Sequence, residues 1–76
     1  MQIFIEIPQG YTVVVNVEPT HTIGQVKQQL QLITGIPAEM QKIIINRQSL
    51  RNDTFVSDHD FVNAGSVSLI HVIRAI

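Results

Sequence analysis

The 76-residue sequence has no cysteine and little charge. Without cysteine, disulfide cross-links, thiolate zinc sites and thiol catalysis are excluded, and cysteine use gives no indication of a redox compartment. Charged residues make up 14% of the chain, which is about half of the usual quarter. Five Lys and Arg stand against six Asp and Glu, and the basic residues are scattered. We therefore expect neither nucleic acid nor an anionic membrane as a partner.

Long apolar runs are also missing. Ile43 to Ile45 is one of the longest, far short of the length that spans a bilayer, and Met1 to Phe4 lacks the basic start of a signal peptide. A chain of this length buries only about 60% of its unfolded surface, which allows one domain with one core, residues 1–76. We expect a soluble monomer, cytoplasmic if it is natural or expressed recombinantly; the composition does not otherwise assign a compartment.

The N-terminal part of the sequence has the pattern of a β-hairpin. Apolar residues alternate from Met1 to Ile7, and a β-branched run follows from Tyr11 to Val17. Between them, Pro8-Gln9-Gly10 supplies turn residues, since proline fixes φ and glycine permits a positive φ. The alternation places Phe4 and Val14 on one face of the hairpin and predicts an inward set of Val13, Val15 and Val17.

A single helix is predicted from about residue 23 to residue 34. Thr22 stands at the position of an N-cap, and apolar residues follow it at helical spacing: Ile23, Val26 and Leu30. Gly35 is placed to end the helix in the left-handed conformation, and Pro37 forbids its continuation.

The rest of the chain predicts further strands. Gln41 to Ile45 reads as a strand, Asn46-Arg47 as a turn in which asparagine tolerates the left-handed region, and Leu50 as part of a short extended piece. Ser66 to Ile73 alternates again and predicts a closing strand. In the polar segment between them, we expect three apolar residues to insert into the core: Phe55, Val56 and Phe61.

These elements predict an α+β fold in the order ββαββ with a short extra strand. A hairpin, one crossing helix and further strands give a mixed β-sheet with one α-helix packed across one face. The core between the two layers is predicted to include Ile3, Val17, Val26, Leu30, Ile43, Leu50, Phe61 and Leu69.

The sequence offers little catalytic chemistry. Ser57-Asp58-His59-Asp60 contains the residue types of a hydrolase triad, but consecutive residues point in different directions, whereas a triad converges from separate segments. His21, His59 and His71 lack metal-ligand spacing, the aspartates do not match a calcium loop, and phosphate-binding glycine motifs are absent. We expect no catalytic residue, no cofactor, no metal site and no enzymatic activity.

Short motifs along the whole chain resemble the ubiquitin family. They are Met1-Gln2-Ile3-Phe4, Val17-Glu18-Pro19, Thr22-Ile23, Val26-Lys27, Gly35-Ile36-Pro37, Gln41, Ile44, Leu50, Ser57-Asp58, Leu69 and Arg74. The resemblance runs without a gap and implies the ubiquitin-like β-grasp fold, which agrees with the α+β prediction.

The residues that this family uses for conjugation are replaced. The family's tail ends in Arg-Gly-Gly, and its glycines pass through narrow enzyme channels that a Cβ would block. Here the corresponding residues are Arg74-Ala75-Ile76, and Val72 stands where the family has an arginine. Of the family's acceptor lysines only Lys27 is kept, the others being Glu6, Tyr11, Gln29, Ile33, Gln48 and Asn63. The resemblance therefore implies neither conjugation nor chain building.

The family's main recognition patch is a small apolar area on the outer face of the sheet. Ile44 is kept and Ile70 replaces a valine, while Pro8 and Ser68 replace a leucine and a histidine. We expect an exposed apolar patch formed by Ile44, Ile70, Val72 and Val14. The resemblance implies ubiquitin-binding domains as its partners, with weak binding because only half of the patch is kept.

Three hypotheses for function follow. The first is an artificial sequence on the ubiquitin backbone, chosen for folding and without a native biochemical activity, because local propensity agrees with the fold while conjugation residues are lost. The alternative is a natural, non-conjugated docking module that binds partners through Ile44 and Ile70. The third is a conjugated modifier whose precursor is processed at another site.

Overall fold

The computed structural model describes residues 1–61 and, as backbone, residues 67–71. The described residues contain one helix, five strands and two short 3-10 turns at Ala38–Met40 and Val56–Asp58. The elements are β1 (Gln2–Ile7), β2 (Tyr11–Asn16), α1 (Ile23–Thr34), β3 (Gln41–Ile45), β4 (Gln48–Ser49) and β5 (Val67–His71). This confirms the predicted α+β fold, a ubiquitin-like β-grasp.

The five strands form one mixed sheet in the order β2-β1-β5-β3-β4. β1 and β5 are parallel, and the other neighbours are antiparallel. The inward apolar residues of β1, β2 and β3 and the buried apolar residues of α1 belong to one hydrophobic cluster, so the helix covers one face of the sheet. The opposite, outer face carries the alternate residues of each strand.

The hairpin and the helix have the predicted ends. Gly10 has φ +96° and donates its N–H to the Ile7 carbonyl at 2.9 Å, which closes the turn between β1 and β2. At the start of α1, the Thr22 hydroxyl accepts from the Gln25 N–H at 3.2 Å, and the Gln25 side chain accepts from the Thr22 N–H at 2.8 Å. This reciprocal pair is a capping box. Gly35 ends the helix with φ +77°.

The described core contains seven of the predicted core residues: Ile3, Val17, Val26, Leu30, Ile43, Leu50 and Phe61. The side chain of Leu69 lies outside the described residues, as do the ends predicted for the closing strand at residues 66, 72 and 73. Val56 is buried as predicted, but the prediction for Phe55 is wrong, because its side chain is 47% exposed. Phe55 is the extended residue that precedes the 3-10 turn at Val56–Asp58, and it is Val56, the first residue of that turn, that is buried.

The turn between β3 and β4 uses two residues in the left-handed region. Asn46 has φ +51°, as its residue type predicts, and Arg47 has φ +68°. Both residues must be left-handed because a two-residue hairpin turn of this kind follows the right-handed twist of its strands. The sequence pattern indicates this for asparagine alone.

Candidate binding surface

The outer face of the sheet carries the residues predicted to bind a partner. Alternation along β1, β2 and β3 buries every second side chain under α1 and leaves the others on the outer face. On that face Phe4 is 60% exposed and Val14 46% exposed, while Ile44 is half-buried. The outer face therefore presents apolar side chains from both halves of the sheet.

Ile44 and Ile70 lie on neighbouring strands. Ile44 is opposite Ser68 in the register of β3 and β5, and Ile70 is opposite Lys42, two residues along. This brings the backbone position of Ile70 to a diagonal neighbour of Ile44, within the reach of a long side chain. Val72 lies outside the described residues. The register thus brings together two positions of the predicted patch.

Val14 lies away from this pair. In the β1–β2 register it is directly opposite Phe4, and β1 and β5 separate β2 from β3. Three strand spacings place Val14 about 14 Å from the strand that carries Ile44. The structure groups Val14 with Phe4 at one side of the sheet and Ile44 with the position of Ile70 at the other. Glu6 and Ser68 are register neighbours between them.

Phe4 was missing from the predicted patch. Its 60% exposure makes it a larger exposed apolar side chain than the half-buried Ile44. The sequence does contain the signal, because alternation places Phe4 and Val14 on one face of the hairpin.

Lys27 lies on the buried side of α1, in the same region as the core. It is 6% exposed, and its Nζ donates to the Asn52 Oδ1 at 2.5 Å. Burial lowers the pKa of Lys27 below its ordinary value of 10.5, and the positive charge of Lys42 lowers it further. The amine is therefore held inside the fold by a structural contact.

Ser57, Asp58 and His59 are held by two local side-chain contacts and one backbone contact with a distant segment. The Asp58 carboxylate accepts from the Phe55 N–H at 2.8 Å, and the His59 Nε2 lies 2.9 Å from the Thr54 hydroxyl. The backbone N–H of Ser57 donates to the Pro19 carbonyl at 3.1 Å. These contacts tie each residue to a different neighbour and do not direct a histidine to the serine.

Metal-binding geometry is absent from the part of the chain that the structure describes. No group of three His, Cys, Asp or Glu side chains is close enough to hold an ion there. The Nδ1 of His21 instead accepts from the Glu18 N–H at 3.1 Å, which is a local contact at the end of the hairpin. No described helix is long and apolar enough to cross a membrane.

The sequence matches the family model of the ubiquitin family over residues 3–74. This match spans nearly the whole chain and agrees with the β-grasp topology. The chain belongs to the ubiquitin family. The predicted resemblance is confirmed, and the outer face of this ubiquitin-family domain is the surface to test for partners.

The amines of this ubiquitin-family domain differ from the family's acceptor set. The sequence has two lysines, Lys27 at a family acceptor position and Lys42 at another position. Lys27 is buried and hydrogen-bonded, whereas Lys42 is exposed in β3. The one acceptor lysine that the sequence keeps is thus withdrawn from solvent.

Proposed function

We propose that this ubiquitin-family domain is a folded scaffold whose sequence was chosen for folding, without enzymatic activity and without a role as a conjugated modifier. The replaced tail Arg74-Ala75-Ile76 supports the loss of conjugation. The structural observation that carries the proposal concerns chain building and is the state of Lys27, the one family acceptor lysine kept. Its amine is buried against Asn52, which supports a role in the fold over a role as an acceptor.

The agreement of local sequence signals with the fold supports selection for folding. The Thr22–Gln25 capping box, the left-handed Gly35 and the left-handed Asn46 each place a residue where its intrinsic preference matches the backbone. A sequence selected on structure alone has this consistency across local and global levels.

The conjugation part of the proposal is tested by incubating the chain with ATP and a ubiquitin-activating enzyme. We expect no thioester with the chain. A matched variant carrying Val72→Arg, Ala75→Gly and Ile76→Gly restores the family's tail on the same fold, and thioester formation by that variant would show that the assay accepts this domain. A thioester formed by the unaltered chain contradicts the proposal.

The origin of the sequence has its own test. A designed chain has no natural gene, so a genome that encodes this sequence or an extended form of it would contradict a designed origin. A search of genomes for this sequence and for extended forms of it therefore tests the designed origin independently of the conjugation assay.

A second candidate function is a docking module that binds ubiquitin-binding helices weakly. It is favoured by the half-buried Ile44 on the outer face, next to the backbone position of Ile70. A ubiquitin-binding helix titrated into the unaltered chain should then give a binding signal, and this signal should be lost with Ile44→Ala. Val14→Ala is the matched control, since it removes an aliphatic side chain from the same face beyond two intervening strands. Equal affinity of Ile44→Ala and the unaltered chain contradicts this candidate.

A further inference from the structure

Among the strands that the structure describes, β2 lies at one end of the sheet, and its outer edge pairs with none of them. β2 is a terminal strand, and its six residues pair with β1 in an unbroken register from Tyr11 to Asn16. It has neither a charged residue nor a proline. Proteins ordinarily protect a sheet edge with charge, proline, a bulge or a very short strand. At the other end of the sheet, β4 has only two residues, Gln48–Ser49.

Hydrogen-bonded and non-hydrogen-bonded residue pairs alternate along the hairpin, and this alternation shows which backbone N–H and C=O groups of β2 point away from β1. Met1 and Val17 exchange both backbone bonds, at 2.7 and 2.8 Å, so they are a hydrogen-bonded pair. Opposite pairs alternate in an antiparallel ladder, which makes Phe4–Val14 a non-hydrogen-bonded pair. The N–H and C=O groups of Thr12, Val14 and Asn16 therefore point to the free edge.

We propose that two copies of this chain associate about a twofold axis by antiparallel pairing of their β2 edges, with Val14 opposite Val14 of the other copy. A twofold interface requires a self-complementary surface. Thr12-Val13-Val14-Val15-Asn16 meets this requirement, because polar residues flank three valines symmetrically about Val14.

The outward backbone groups fit this register. Val14 exchanges both its backbone bonds with Val14 of the other copy, and Thr12 exchanges both with Asn16. A register centred on Thr12 or Asn16 leaves part of the strand unpaired, so centring on Val14 gives the longest overlap. The dimer closes because the pairing occupies the β2 edge of both copies.

Side chains and charges also fit. Directly opposite residues lie on the same face of a sheet, so the exposed Phe4 and Val14 of each copy form one continuous apolar stripe on the outer face. Glu18, the first charged residue after β2, falls opposite Gly10 of the other copy. The pairing places no like charges opposite each other. The proposed dimer differs from the monomer expected from the sequence. That expectation rests on composition, which does not show which strand lies at the edge of the sheet.

Sedimentation velocity from roughly 1 µM to 1 mM tests the proposal over the range in which weak association becomes measurable. We expect a monomer–dimer equilibrium for the unaltered chain. Val14→Lys and Val14→Glu should each raise the dissociation constant at least roughly tenfold, because each places like charges opposite each other. An equimolar mixture of the two should form a dimer again through the opposite charges.

Leu32→Lys is the matched control, since Leu32 is 88% exposed on α1 and lies outside β2. It should dimerise like the unaltered chain, and circular dichroism should show the same fold for all variants. The proposal is overturned by an unaltered chain that stays monomeric or assembles beyond a dimer. It is also overturned if Leu32→Lys weakens association as much as Val14→Lys does, or if the mixture fails to dimerise.

Discussion

The buried ammonium of Lys27 donates its hydrogen bond to a neutral acceptor, the Oδ1 of Asn52, at 2.5 Å. The lysine is 6% exposed, and burial together with the positive charge of Lys42 lowers its pKa. A charged group that leaves water is best compensated by an opposite charge in hydrogen-bonding geometry. The Lys27–Asn52 contact supplies the geometry but no negative charge.

Asn52→Asp should stabilise the fold at neutral pH by about 1 kcal/mol, because a carboxylate of nearly the same shape replaces the amide next to the ammonium. The pKa of the new Asp should lie below its ordinary value. Its contribution should therefore be fully present above the unfolded pKa of about 3.9 and be lost as the pH falls through the folded pKa. Urea denaturation at neutral and at acidic pH measures both effects.

Gln9→Glu is the control for that substitution. It adds the same charge at an exposed position of the hairpin turn and should change the free energy of unfolding by less than about 0.5 kcal/mol. Equal stability of Asn52→Asp and Gln9→Glu at neutral pH would show that the Lys27 charge is already fully compensated.

The lowered pKa of Lys27 predicts a pH dependence of stability on the alkaline side. Between the folded pKa and the ordinary value of 10.5, the unfolded chain binds more protons than the folded chain. The free energy of unfolding should therefore gain a positive slope with pH in this window, since raising the pH removes the cost of burying the charge. The slope contributed by Lys27 should be absent from Lys27→Met. Denaturation of both chains from neutral pH to pH 10.5 gives the difference, and parallel curves would contradict the prediction.

Arg47→Gly should stabilise the β3–β4 turn. Arg47 has φ +68°, where a side chain is strained and glycine is not. We expect a gain of about 0.5–1 kcal/mol, the relief of strain less the extra entropy that glycine has in the unfolded chain. Thermal or urea denaturation measures it.

Arg47→Ala separates backbone strain from the loss of the charged side chain, because alanine keeps the Cβ. It should leave the stability close to that of the unaltered chain. If alanine stabilises as much as glycine, the gain comes from the side chain and the strain argument fails.

Leu30 and Leu32 offer a matched pair in one helix. Leu30 is fully buried against the sheet and Leu32 is 88% exposed. Leu30→Ala should cost about 2–5 kcal/mol through lost burial and a cavity, while Leu32→Ala should change stability by less than about 0.5 kcal/mol. Urea denaturation of the two variants compares them directly. Similar losses for both would contradict the packing of α1.

Local signals predicted much of the fold and less of the candidate site. The bounds of α1 follow from Thr22 and Gly35, and the inward set of β2 follows from period-two alternation. Alternation also placed Phe4 and Val14 on one face. It does not give the distance of Val14 from Ile44, because that distance depends on which strands lie between them.

The exposure of Phe55 and the left-handed backbone of Arg47 differ from what each residue type predicts, and the two differences have similar causes. Phe55 is large and apolar, which predicts a core position, but the chain buries its neighbour Val56 at the start of the 3-10 turn and leaves Phe55 exposed. Arg47 adopts a left-handed conformation because the turn requires it, against the preference of its side chain. In both cases the position in the tertiary structure outweighs the preference of the single residue.

The sequence by itself determined the helix, its caps, the hairpin and the inward face of each of the first three strands, since these depend on side chains close together along the chain. The tertiary structure decided the parallel pairing of β1 with β5, the contact of Lys27 with Asn52 and the free edge at β2. Strands pair through backbone groups that nearly all residues share, so the sequence does not specify the partner locally. The partner is chosen by the arrangement that buries the apolar faces of all elements together.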